Sequence, residues 1–245
     1  MKKTLKYILI TLVILFFLGF IIVLDSYINI DVSHYEIKSD KITNKYNNYK
    51  IMLLTDLHNR NITEKIVKIA IEEKPDIIVM SGDMINEKEE DGYTNFFNLC
   101  NELKDYTKYY VFGNHEENMT NEKQNSYIKE LEEKTNVILL NNNKLELDEN
   151  FNIYGFTPEV KYYMASTKEK INENYIEERI GKIDNTKFIN FLLEGGNSHL
   201  LTDHKIIDIM NTSTKFLFNI DIKNPSSILD KGILMYRNND KVLEI

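Results

Sequence analysis

The stretch "KIMLLTDLHN", residues 50–59, decides the fold, because it joins a short apolar run directly to a group of polar side chains. Its first half, "KIMLL" at 50–54, is typical of a buried strand, and "TDLHN" follows at once. The same arrangement occurs twice more, where "DIIVM" at 76–80 leads into "SGDMIN" and "YYVF" at 109–112 leads into "GNHEEN". The sequence therefore predicts three strands that each end in polar residues.

Amphipathic helices are predicted between these strands. Apolar residues recur there at helical spacing: Ile62, Ile66, Ile69 and Ala70 after the first strand, Tyr93, Phe96, Phe97, Cys100 and Leu103 after the second, and Tyr127, Ile128 and Leu131 after the third. A fourth apolar run, "NVILL" at 136–140, follows the last of these helices. Alternating strands and helices indicate βαβ units, and hence an α/β fold with a parallel sheet covered by helices.

The polar residues after the three strands are expected to lie together. The carboxyl ends of parallel strands form one edge of a sheet, where ligands bind. The side chains gathered at that edge are Asp56, His58, Asp83, Asn114 and His115. Asp, Asn and Gly are also common turn residues, so each loop alone is weak evidence for a metal site. The prediction rests on the occurrence of all three loops together. Oxygen and imidazole ligands without sulfur suit Mn, Fe or Zn.

In order and spacing, "DLH", "GD" and "GNHE" resemble the motifs of the calcineurin-like metallophosphoesterases. The segment "HYEIKSDKI" at 34–42 further resembles an opening strand in the bacterial membrane-anchored branch of that family. This resemblance extends from about Tyr35 to Phe156. It implies a β-sandwich flanked by helices, in αββα layers, that hydrolyses a phosphomonoester or phosphodiester with two divalent ions, such as Mn, Fe, Zn or Co.

The resemblance also implies a role for each site residue. Asp56 and His58 would bind the first ion, Asp83 would bridge both ions, and Asn114 would bind the second. His115 would contact the phosphate and help the leaving oxygen depart. Glu116 would orient its neighbours or begin a helix rather than bind metal.

The C-terminal part, from about residue 188, departs from the family pattern. The family has three further histidine ligands, two of them in a Gly-His-x-His loop, whereas only His199 and His204 follow His115 here. His204 in "TDHKI" is the nearest candidate for a further ligand, which leaves the second ion with few ligands beyond Asp83 and Asn114. Two alternatives to an active enzyme therefore stay open: a catalytically impaired binding module, and a C-terminal part altered by deletion or frameshift.

Further strands are expected in this C-terminal part. "KFINFLLEGGN" at 187–197 reads as an apolar strand. "KFLFNIDIK" at 215–223 alternates apolar and polar residues, which predicts a strand of the second sheet of the sandwich. A hairpin is expected around Asn238 to Asp240.

The N-terminal segment predicts a membrane anchor. Lys2, Lys3 and Lys6 precede an uncharged apolar run from Tyr7 to Leu24, which approaches the length of about 20 residues that a membrane-spanning helix needs. No small-residue cleavage site follows, so an uncleaved anchor is favoured over a signal peptide or a core helix. Residues 1–29 are expected to form the anchor and 30–245 the phosphoesterase domain. The positions of the lysines predict a single-pass protein of the cell membrane, with a cytoplasmic N-terminus and an extracytoplasmic domain.

Charge and cysteine content argue against other classes of partner and site. The net charge of −8 offers no basic stripe for a nucleic acid. Cys100 is the only cysteine, so neither an intramolecular disulfide nor a cysteine-based zinc site can form. The acidic segment "NEKEEDG" at 86–92 is expected to be a solvated loop.

Overall fold

The structure is a computed structural model that describes residues 2–28, 30–34, 36–38, 44–163, 171, 173–182, 189–194, 218–221 and 242–244. The helices are α1 (Lys2–Ile28), α2 (Thr63–Glu73), α3 (Thr94–Glu102), α4 (Asn114–Glu117), α5 (Asn121–Lys134) and α6 (Glu173–Ile180). The strands are β1 (Asp31–Ser33), β2 (Glu36–Lys38), β3 (Ile51–Thr55), β4 (Ile77–Ser81), β5 (Thr107–Val111), β6 (Val137–Leu139), β7 (Asn143–Asp148), β8 (Phe151–Phe156), β9 (Ile189–Glu194), β10 (Phe218–Asp221) and β11 (Val242–Glu244).

The main sheet confirms the predicted parallel arrangement. Its strand order is β1-β10-β3-β4-β5-β6, and the pairs from β3 to β6 are all parallel. Val79 in the centre of β4 is aligned with Leu53 on one side and with Tyr109 on the other. The ends of β3, β4 and β5 therefore lie side by side at one edge.

The main sheet is buried on both faces, which explains why its strands are continuous apolar runs. Side chains on one face of the sheet, such as Met52 and Met80, pack with α2, α3 and α5 in one core. Side chains on the opposite face, such as Ile51 and Val79, pack against the second sheet, β7-β8-β9, in another core.

The outer face of the second sheet carries the fourth layer. Ile153 of β8 points toward the main sheet, whereas Tyr154 and Phe156 pack with Ile176 and Ile180 of α6. The layers of the described residues are thus helices, sheet, sheet and helix, which confirms the αββα prediction. The hairpin of β7 and β8 was not predicted, because all six residues of β8 are buried and its sequence shows no alternation.

The C-terminal strands correct one prediction. The alternating segment at 215–223 does contain β10, but β10 joins the main sheet between β1 and β3, parallel to β3, and does not complete the second sheet. The strand predicted at 187–197 is confirmed as β9, which pairs with β8. The hairpin around Asn238 lies outside the described residues, and β11 just after it pairs in parallel with β2, in the segment predicted as an opening strand.

Helix α1 contains a segment, Lys3–Ile21, that is long and apolar enough to cross a membrane, with mean hydropathy 2.4. None of this segment is buried against the rest of the described protein, and bulky side chains such as Phe16 are 70% exposed. A soluble core helix would bury its apolar face, so this observation disfavours that alternative.

Candidate metal centre

Two turns with left-handed backbone place the acidic residues after β3 and β4. Asp56, His58 and Asn59 have φ values of 56°, 47° and 55°, and Gly82 and Asp83 have 71° and 53°. Asn, Asp and His tolerate this region better than other residues with a Cβ atom, and glycine enters it freely. Such concentrations of unusual backbone are typical of functional sites.

Backbone hydrogen bonds join the two turns into one unit. The amide of Asp56 donates to the carbonyl of Gly82 at 3.3 Å, and the amide of His58 donates to the carbonyl of Asp83 at 2.9 Å. The register of the parallel strands therefore continues into the loops, which sets the spacing between Asp56, His58 and Asp83.

Gly113 allows the third turn to approach the second. A Cβ atom at this position would lie 2.4 Å from Asp83 Oδ1 and 2.6 Å from the Asp83 amide nitrogen, which no side chain could accommodate. Its φ of −105° is open to any residue, so glycine is needed here for space and not for backbone freedom. The close approach lets the His115 amide donate to Asp83 Oδ1 at 3.0 Å.

Glu116 binds the second and third turns together from behind. Its carboxylate is fully buried and accepts from the amides of Asp83 and Gly113 at 2.9 and 2.7 Å. It also accepts from Met84 at 2.8 Å and Ile85 at 3.3 Å. This agrees with the expectation that Glu116 orients its neighbours.

The side chains at the front of the three turns converge. Candidate ligand atoms of His58, Asp83 and His115 all lie within 4.8 Å of one another, and the two imidazole rings are 4.5 Å apart, edge to face. Nε2 of His58 is 3.4 Å from Asp56 Oδ1. The structure thus brings together four of the five residues that the sequence places at this edge.

The carboxamide of Asn114, the fifth residue, lies against Asp83, and its orientation bears on whether the site fits a cation. Its carboxamide oxygen faces the carboxylate of Asp83, so that two acceptors meet. Turning the carboxamide over would let its nitrogen donate to Asp83 Oδ2 at 2.9 Å and its oxygen accept from the His115 amide at 3.2 Å. A cation between the two oxygens would satisfy those oxygens without that turn, but it would leave the carboxamide nitrogen facing the His115 amide. Oxygen and imidazole donors in this number fit a divalent metal.

The electrostatics of the site favour a cation. Burial, and then the negative charges of Glu116 and Asp56, raise the pKa of Asp83 well above its ordinary value. Burial alone would lower the pKa of His58, but the hydrogen bond with Asp56 and the nearby carboxylates raise it overall. Negative charge contributes to both shifts, second to burial in the case of Asp83, and a divalent ion would offset that charge.

Glu87 is a site residue that the sequence did not predict. Its carboxylate Oε2 contacts His115 Nδ1, and its side chain is only 14% exposed. The rest of the charged part of this loop is exposed, as expected. The sequence therefore carries no signal that marks Glu87, rather than Glu89 or Glu90, as the residue that reaches the site. The contact arises only when the loop after β4 folds back onto the turn after β5.

The remaining site predictions are open. His199 and the candidate ligand His204 lie outside the described residues. The assignment of Asp56, His58, Asp83 and Asn114 as ligands, and of His115 as the group that serves the leaving oxygen, stays a prediction. Cys100 is buried, as predicted, and burial raises the pKa of its thiol to about 12.

The described residues define a four-layered α/β sandwich with carboxylates and imidazoles at the carboxyl edge of its main sheet. The chain belongs to the calcineurin-like phosphoesterase family, whose model matches residues 49–229. The match begins later than the resemblance noted above, at 49 instead of 35, and continues well beyond Phe156.

Two other comparisons add little. No curated protein matches the chain. One solved crystal structure aligns over 58% of this chain and 67% of the other chain, at 11% sequence identity and a TM-score of 0.40. Nothing about fold or function is inferred from so weak a similarity.

Proposed function

We propose that the chain is a metal-dependent phosphoesterase that hydrolyses a phosphomonoester or phosphodiester at the outer face of the cell membrane. The family membership supports phosphoester hydrolysis in general. The observation that carries the proposal is the convergence of His58, Asp83 and His115, with ligand atoms within 4.8 Å of one another. Asp56 and Asn114 extend this cluster on either side.

Asp56, His58, Asp83 and Asn114 are the residues that would hold the metal, with His204 as a further candidate. Divalent ions such as Mn, Fe, Zn or Co supply a nucleophilic hydroxide and neutralise phosphate charge. The number of ions, two in the family pattern, depends on ligands outside the described residues.

His115 and Glu87 would handle the proton of the leaving group. A carboxylate only accepts hydrogen bonds, so in the proposed arrangement Nδ1 of His115 is the donor to Glu87. Nε2 is then the nitrogen available to the substrate. Glu87 would orient the ring of His115, which would donate its Nε2 proton to the departing oxygen.

The direct test is hydrolysis by the full chain, purified in detergent and stripped of metal with a chelator. We expect little hydrolysis of bis(p-nitrophenyl) phosphate or p-nitrophenyl phosphate by the stripped protein, and recovery when Mn²⁺ or Co²⁺ is added. Heat-unfolded protein with the same ions is the control. Rates that do not depend on metal would contradict the proposal.

The alternative is a catalytically impaired family member that acts as a binding module. In the proposed assignment, Asp83 and Asn114 are the ligands of the second ion among the described residues, and the further candidate, His204, lies outside them. A calorimetric titration separates the possibilities: two tight Mn²⁺ sites per chain, together with hydrolysis, rule out the impaired module. A single site without hydrolysis would favour it.

The membrane location is tested separately. We expect the full chain to sediment with membranes, to resist carbonate extraction and to be released by detergent, because Lys3–Ile21 is long and apolar enough to span the bilayer. A variant that lacks residues 2–29 should remain in the supernatant. Protease added outside intact spheroplasts should remove a C-terminal tag but spare a cytosolic marker, and protection of the tag would refute the proposed orientation.

A further inference from the structure

Two buried tyrosine hydroxyls lie in line behind the candidate metal centre. The hydroxyl of Tyr127, on α5, donates to the hydroxyl of Tyr110, on β5, at 3.1 Å. The hydroxyl of Tyr110 in turn donates to Oε1 of Glu116 at 2.7 Å. Both tyrosines are essentially inaccessible to solvent, with exposures of 0% and 1%.

An aromatic environment surrounds these hydroxyls. The ring of Tyr127 stacks on Phe97, with centroids 5.8 Å apart, and lies 5.9 Å from Phe112. Burial, followed by the charge of Glu116, raises the pKa of both tyrosines well above the ordinary value, so both phenols are neutral donors. In such surroundings a hydrogen bond is strong and its loss is costly.

The oxygen that accepts the hydrogen bond from Tyr110 also holds the loop after β4 in place. Oε1 of Glu116 accepts from the amides of Met84 and Ile85, which directly follow Asp83. Oε2 accepts from the amides of Asp83 and Gly113. The hydroxyl of Tyr110 therefore limits rotation of the carboxylate that determines where Asp83 lies relative to the Gly113 turn.

We infer that Tyr110 and Tyr127 are positioning residues for the metal centre, acting through Glu116 on Asp83. The inference rests on the proposed function, because it assumes that Asp83 binds a divalent ion. It assigns to α5 a role beyond packing, since that helix supplies Tyr127, and since its Gln124 side chain also donates to the backbone carbonyl of Glu116 at 3.1 Å. The phenol hydroxyls would matter for metal affinity because groups that orient the ligands affect it strongly.

The test compares three variants of the full chain in detergent, each of which removes one hydroxyl: Tyr110→Phe, Tyr127→Phe and Tyr109→Phe. Tyr109 is a matched control, because it is the neighbouring buried tyrosine on β5 and faces the second sheet instead. Calorimetric titration of the stripped proteins gives the Mn²⁺ affinity, and the visible absorption of bound Co²⁺ reports the coordination geometry. Near-UV circular dichroism during heating reports folding.

We expect Tyr110→Phe to weaken Mn²⁺ binding by about 10- to 100-fold and to alter the Co²⁺ spectrum. Tyr127→Phe should weaken binding less, because it leaves every direct donor to Glu116 in place, and Tyr109→Phe should leave both readouts unchanged. A purely structural role would lower the melting temperature of Tyr110→Phe without this change in affinity.

The possible failures can be told apart. If Tyr110→Phe and Tyr109→Phe bind Mn²⁺ equally, the positioning role is overturned while the proposed function stands. If the unmodified protein binds no metal, both are overturned. Should Tyr110→Phe lose its cooperative melt, Tyr127→Phe decides the matter, and unchanged affinity in that variant overturns the inference.

Discussion

Replacing Asp83 with Asn should abolish metal-dependent hydrolysis, lowering the rate by at least about 10³-fold. Asp83 is the central carboxylate of the cluster: it is 2% exposed and lies within 4.8 Å of both imidazoles. Asparagine keeps its shape and tolerates its φ of 53°, so the loss should come from the missing charge and not from misfolding.

The same substitution should stabilise the protein in the absence of metal. Burial and the charges of Glu116 and Asp56 raise the pKa of Asp83, so its ionised form is unfavourable until a cation is bound. We therefore expect a higher melting temperature for stripped Asp83→Asn than for the stripped parent, together with loss of the upward shift that Mn²⁺ gives the parent.

Asp105→Asn is the control for Asp83→Asn, because Asp105 is exposed and precedes β5, at the opposite end from the site. It should match the parent in rate and in metal-induced stabilisation. An Asp83→Asn protein that hydrolyses at the parental rate would remove Asp83 from the mechanism.

Replacing Glu116 with Gln should cause the largest loss of stability, about 3 kcal/mol in the free energy of unfolding. The buried carboxylate accepts from four amides and from the Tyr110 hydroxyl. Glutamine can present only one oxygen, so its NH₂ group must face donors on one side. At least two of those donors then lose their partner in a buried place, where unpaired polar groups are costly.

The measurement for Glu116→Gln is urea unfolding of metal-free protein in detergent, followed by near-UV circular dichroism of the tyrosines. Glu132→Gln, on the exposed side of α5, makes the same chemical change and should leave the midpoint in place. A Glu116→Gln midpoint equal to that of the control would show that the five hydrogen bonds contribute little.

Local patterns were sufficient to predict the four parallel strands β3 to β6 of the main sheet and much of the site. Strands β3, β4 and β5 are short apolar runs that must be buried on both faces, and intervening helices force neighbouring strands to be parallel. That geometry alone brings Asp56, Asp83 and Asn114 to one edge, so their proximity could be predicted without knowing any contact. The family motifs in the same loops led to the family that the match over 49–229 shows.

Positions that depend on contacts between distant segments could not be predicted. The alternation at 215–223 is equally compatible with either sheet, because it specifies which side chains are buried but not the strand they pair beside. Only the fold places β10 next to β3. The hairpin of β7 and β8 escaped prediction for a related reason, since a fully buried strand shows no alternation.

The sequence by itself determined which chemical groups lie at the site: carboxylates, an amide and imidazoles at the ends of three parallel strands. Tertiary structure decided how those groups are held. Glu87 reaches His115 because a loop folds back, and Tyr127 reaches Glu116 through Tyr110 because α5 packs on β5. Strand periodicity is a local property that a sequence displays, whereas hydrogen bonds across tens of residues exist only when packing brings their partners together.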